Sequence, residues 1–169
     1  MAEVVDIRAE TQALIDSQRS LHLATRAPDG EPEASYAPFV CDEAGNFYIF
    51  VSQLSRHTRN LLAHASLSIL LIEPEADASQ VFARKRLSYH CVAEVVARED
   101  AEWEARLAAF EARFGAVIDM LRSLEDFVLF RLVPRHGSFV KGFGQAYTID
   151  ASKIEHVSAD RIKRGDTID

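Results

Sequence analysis

The chain has 169 residues, of which 48% are hydrophobic and 27% charged, and it carries a formal net charge of −7 with a pI near 5.4. That is one soluble domain's worth, residues 1–169, with enough chain to bury a substantial core. The acidic balance, with no long basic stripe, excludes a typical nucleic-acid-binding protein.

Cys41 and Cys91 are the only cysteines and show no CxxC spacing, which fits reduced thiols better than a disulfide framework. The acidic start MAEVVDIRAE lacks the apolar segment of a signal peptide. No apolar run approaches the roughly 20 residues of a membrane helix. A cytoplasmic protein with no membrane partner is expected.

In chain order, residues Ala2 to Ser20 predict an amphipathic helix with Val5, Ile7, Leu14 and Ile15 on its apolar face. LHLATRA (Leu21 to Ala27) alternates as a half-buried strand does. PDGEP is a turn, with Gly30 free to take positive φ. Glu33 to Asp42 follows as a second strand, and Pro38 within it suggests an edge position or a bulge. EAGN turns the chain into FYIFVS (Phe47 to Ser52). A helix from about Arg56 to Ala65 and a buried strand through Ile72 come next. Pro74 to Phe82 reads as a loop or short helix, and Ala83 to Ala97 as a long strand. Glu99 to Gly115 is the clearest amphipathic helix, with Trp103, Leu107, Phe110 and Phe114 as core positions and Gly115 as cap. A short second helix leads to a strand from Phe127 to Pro134. RHGS reads as a turn and Phe139 to Ile149 as a glycine-kinked strand, where Lys141, Gly142 and Gly144 suggest a close contact. The tail, residues 150–169, reads as polar and loose. Short connections favour antiparallel pairing, so a mainly β, α+β barrel with peripheral helices is expected.

The stretch Val51 to Glu73 concentrates potential ligands. Ser52, Ser55, Arg56, His57, Thr58 and Arg59 sit before and inside a helix's first turn, where free N–H groups and the dipole favour an anion. A solvated helix start has the same local pattern. Arg84, Lys85 and Arg86 read as a charged strand whose cations alternate faces. His22, His64 and His90 have no carboxylate or cysteine at ligand spacing, so no metal site is assigned. His136 is expected in a turn.

Together, SYAPFV, SxLSRHTRNL, FARKRLSYxCVAEVV and LEDFVLFRLxPRHGSFVKGFGQAY resemble the pyridoxamine 5′-phosphate oxidase-like FMN-binding split-barrel superfamily. The likeness runs from Leu21 to Tyr147 and is greatest to the haem-utilisation branch, the HugZ/HutZ type. It implies a homodimer of six-stranded antiparallel split barrels with a cofactor in clefts between the subunits.

For a flavoprotein, the resemblance implies FMN phosphate at Ser55, Arg56, His57 and Arg59. His57 stands where flavin members carry lysine. Ser35, Tyr36, Ser52, Lys85 and Arg86 are the remaining cofactor contacts it implies. For the haem branch it implies Asp126 and Arg86, together with an axial histidine in the C-terminal segment. His156 is the tail's only histidine and lies earlier than that branch's EGHRK ending. An FMN-dependent oxidoreductase is the first expectation and a haem storage or degradation protein the alternative. No catalytic residue is assigned, and the oxidase's own substrate-phosphate residues find no convincing match.

Overall fold

Six strands close on themselves, because their alternating apolar residues need a common interior. The computed structural model describes residues 2–150 and 153–157, with side chains from Asp6 onward. The strands are β1 (Ser20–Arg26), β2 (Pro32–Cys41), β3 (Phe47–Ser52), β4 (Ser66–Ile72), β5 (Arg86–Val96), β6 (Phe127–Gly142), β7 (Gln145–Asp150) and β8 (Ile154–His156). The order β3-β2-β1-β4-β5-β6 is closed by pairing β6 back onto β3, and β7 and β8 extend the sheet beyond β6. Every pairing is antiparallel. The helices are α1 (Ala2–Ser17), α2 (Arg56–Ala63), α3 (Ala101–Phe114) and α4 (Val117–Arg122). Val5's side chain and the tail beyond Val157 lie outside the described residues. Among the described residues, no helix is long and apolar enough to cross a membrane.

β1 alternates cleanly, burying Leu21, Leu23 and Thr25. β3 does not alternate, because both its faces are covered. Phe47, Ile49 and Val51 join the barrel interior. Tyr48 and Phe50 point outward into a second core with Trp103, Leu107 and Phe110 of α3. Each such large side chain contributes about 1.5–3 kcal/mol on burial. On α1, Ile7 and Leu14 pack into the barrel interior. Its acids Asp6 and Glu10 pair with Lys141, and Glu10 also pairs with Lys85. Cys41 and Cys91 are free, and burial pushes each thiol up to about 12.

The expected elements hold in type, with informative exceptions. Pro38 is at neither an edge nor a bulge. It is the last β2 residue paired with β1, and Phe39 is the first paired with β3. The missing N–H therefore falls where β2 changes partners. Arg84 and Lys85 precede β5, so only Arg86 of the three cations lies on the strand. RHGS is not a turn, because β6 runs unbroken from Phe127 to Gly142. Part of the tail, expected to be loose, forms β8 and pairs with β7. The turn comes later, at Gly144, whose φ is +67°.

Gly137 explains the misread segment. It pairs with Tyr89 across the β5–β6 ladder. A Cβ there would collide with the Ser88 carbonyl oxygen and the Tyr89 ring, whose Cε1 would be 2.8 Å away. The glycine admits a ring rather than bending the chain. Gly137→Ala is expected to destabilise by about 1–3 kcal/mol through overpacking, read as a lower urea midpoint. An unchanged midpoint would mean that the two strands spread freely.

Candidate functional site

The turn after β3 continues the ladder that closes the barrel. Gln53 N–H donates to the Asp126 carbonyl at 2.8 Å. Ser52 Oγ hydrogen-bonds the Asp126 carboxylate and accepts from Leu54 N–H at 3.0 Å. Arg59 reaches back from α2, its Nη1 donating to the carbonyls of Gln53 at 3.1 Å and Leu54 at 3.0 Å. Ser52, Arg59 and Asp126 thus fix the shape of the turn.

Ser55 takes the N-cap position of α2, and its hydroxyl makes no capping hydrogen bond to the helix. Arg56 follows, exposed and without an ion pair among the described residues. No acidic residue occupies the first turn. The positive end of the helix dipole therefore faces outward with a guanidinium beside it.

His57 is half-buried, and its Nδ1 meets Ser35 Oγ at 3.1 Å. Its Nε2 is shielded from solvent and has no partner among the described residues. Burial holds its pKa below the ordinary 6.5, with Glu33 acting weakly in the opposite direction. At neutral pH the ring is uncharged, so the titratable cation expected in place of lysine is a neutral imidazole.

Next to it lies a polar layer of which sequence reasoning named only Thr58 and missed Asn60, Thr25 and Glu33. Thr58 is 0% exposed with a partnerless hydroxyl. Asn60 donates to Thr25 Oγ1 at 3.0 Å and to Glu33 Oε2 at 3.4 Å. The available signal was polar residues on the buried face of a short helix, where apolar ones are the rule. The resulting bowl has one free guanidinium, hydroxyls and a helix N-terminus. It can hold an anion by hydrogen bonding but carries little fixed positive charge.

The other expected ligands lie elsewhere. Tyr36 follows Ser35 on β2 and so points to the opposite face, 65% exposed and cross-strand from His22. Lys85 pairs with Glu10 at 3.5 Å. Arg86 lies between Ile72 and Val140 in the ladders, its Nη1 donates to the Arg84 carbonyl at 3.2 Å, and it pairs with no carboxylate among the described residues. His156 is on β8, at the far end of the sheet, where its ring meets Tyr147 edge-on at 5.1 Å. Its Nε2–H donates to the Gly144 carbonyl at 2.9 Å, which leaves Nδ1 with the lone pair. One chain therefore brings together Ser35, Ser52, Ser55, Arg56, His57, Arg59 and Asp126. It leaves Tyr36, Lys85, Arg86 and His156 apart from them.

A family model described as pyridoxamine 5′-phosphate oxidase matches residues 7–141. The heme oxygenase HutZ of Vibrio cholerae is 43% identical over 148 residues, 88% of this chain and 84% of that protein. The crystal structure of HutZ, there called a heme storage protein, superposes with a TM-score of 0.71 at 42% identity, over 75% of this chain and 89% of that one. Campylobacter jejuni ChuZ superposes with a TM-score of 0.84 at 35% identity, over 92% of this chain and 64% of that one.

His57 also makes a stability prediction. Its folded pKa lies below 6.5, so the unfolded chain binds the proton first as pH falls. The stabilisation is complete above pH 6.5 and is lost as pH drops from there through the folded pKa. His57→Gln should flatten this part of the urea-stability profile between about pH 7.5 and 5. An identical slope in both proteins would exclude a buried neutral His57.

Proposed function

The chain belongs to the pyridoxamine 5′-phosphate oxidase family, and on that premise we propose that it is a haem-binding protein of haem utilisation, for storage or breakdown, rather than a flavoprotein. The observation that carries the proposal is the 43% identity to a heme oxygenase over 88% of the chain. The bowl supports it independently. Of the cations expected at an FMN phosphate, Arg59 is spent on backbone carbonyls and His57 is uncharged, leaving Arg56.

The donor set suits haem. Arg86, without a carboxylate partner, is available to a propionate. His156, whose Nε2 is engaged by the Gly144 carbonyl, presents Nδ1 as the candidate iron ligand, and it is the one histidine in the sequence after His136. Asp126 matches the position at which the resemblance to the haem branch implies a carboxylate beside the axial imidazole. When bound, the group supplies redox-active iron, while the chain holds and orients it. Arg86 and His156 are remote from Asp126 within one chain, so the reading includes a homodimer in which each cleft draws on two copies.

The flavin reading keeps one specific support, the free N-terminal turn of α2 with Ser55 and Arg56. Titration of the purified protein with haemin and, separately, with FMN distinguishes the two. A Soret band shifted from that of free haemin, saturating at one haem per chain, is expected. Arg86→Gln should weaken binding about tenfold, the worth of one charge-assisted hydrogen bond, and His156→Ala should change the spectrum. Stoichiometric FMN binding with no haemin complex would overturn the proposal. Light scattering should give twice the 18.9 kDa chain mass, and a monomer would refute the shared cleft.

A further inference from the structure

His90 and His136 face each other across the β5–β6 ladder. Their rings stack with centroids 4.8 Å apart and planes inclined by 29°. Both are exposed. A register shift between His90 and Cys91 creates the pairing: Cys91 is opposite Pro134 while His90 is opposite His136. Without the extra residue, His90 would face Arg135. Such bulges re-aim side chains, and this one places two imidazoles side by side.

The surroundings keep them there. On the next rung Tyr89 lies over Gly137, where a Cβ would not fit, so the strands cannot shift without losing that contact. The cross-strand neighbours of the pair are Ser68 on β4 and Asp150 on β7, with Arg135 exposed at the bulge. Asp150 Oδ1 accepts from Lys153 N–H at 2.7 Å. Among the described residues, no group of three or more His, Cys, Asp or Glu could hold a metal ion.

We propose that His90 and His136 form an open, two-imidazole site for a divalent first-row transition ion. Neutral imidazole nitrogens suit Cu²⁺, Ni²⁺ and Zn²⁺, and affinity rises toward Cu²⁺. The ladder holds the two residues opposite each other, so rotation of the exposed rings out of the stacked pose brings a nitrogen of each to one ion. Two coordination positions or more stay with water, facing solvent. Sequence spacing could not reveal the site, because its halves lie on separate strands and meet only through the bulge. It is independent of the haem reading.

The test uses Zn²⁺ and Cu²⁺ with the full chain. Zn²⁺ titration by calorimetry should give one site, and one equivalent of Cu²⁺ should show electron-spin coupling to two nitrogens. His90→Gln and His136→Gln should each weaken Zn²⁺ binding by about tenfold or more, at least the loss typical of disturbing a metal's outer shell, and reduce the coupling to one nitrogen. His22→Gln, elsewhere on the barrel surface, should change neither. Circular dichroism should show all variants folded, since both positions are exposed. Unchanged Zn²⁺ affinity in the double variant, less than threefold weakening in either single variant, or no stoichiometric binding by the wild type would each overturn the proposal.

Discussion

The pairing of β3 with the start of β6 is the constraint on which the rest depends. Phe47 through Ser52 pair residue by residue with Leu132 back to Phe127. This closes the barrel and removes the free edges of an open sheet. It also leaves β3 covered on both sides, which is why that strand is buried from Phe47 to Val51. Phe50 on the outer side meets Trp103 edge-on at 5.7 Å and Phe127 at 5.0 Å. Tyr48 places its hydroxyl between the carboxylates of Asp42 and Glu102, and Glu102 takes Arg131 at 3.1 Å. The same ladder runs one step further, through Gln53 and Asp126, into the turn that carries the site. The candidate ligands at α2 are thus placed by barrel closure.

Burial then decides what that site can hold. A lysine at position 57 would have to keep its charge against a partly dry wall formed by Ser35, Thr58 and Asn60. Burial outweighs the attraction of the Glu33 carboxylate at this position, so holding a full charge there is costly. Histidine avoids the cost by staying neutral, and it trades a point charge for directional hydrogen bonding. Arg59 is diverted too, because the turn's own carbonyls claim its guanidinium. The bowl keeps the shape of an anion site while losing most of its fixed charge. A doubly charged phosphate loses more by this than a carboxylate does, since its binding leans more on full cations.

Most of the fold was legible because its signals are local. Alternation marked β1, turn chemistry marked Gly30 and the Glu43–Asn46 connection, and helical spacing marked Trp103, Leu107 and Phe110. What stayed hidden depended on distant residues. RHGS looked like a turn because Gly137 punctuates it, but that glycine answers Tyr89 on another strand. Lys85 looked like a ligand because its partner, Glu10, belongs to the first helix. His57 looked cationic because sequence does not report burial. The likeness to a known family supplied both cofactor alternatives. It did not show which cations remain free.

Strand geometry carries one argument further. Successive residues on a strand face opposite sides, so Ser35 and Tyr36 cannot touch one ligand from the same side of β2. Ser35 belongs with His57 at the bowl. Tyr36 belongs with His22 on the outer surface. Arg86 is also separated from the bowl. It pairs with Ile72 at the end of β4, three residues beyond Ile69, the β4 residue level with Leu23 and Ser35. A flat cofactor that contacts both groups therefore cannot lie on one barrel. The proposed shared cleft would meet this condition, with one copy presenting its bowl and the other its outer sheet. The alternation of β2 and the register of β5 thus agree with the proposed shared cleft for a ligand that uses both sets of residues.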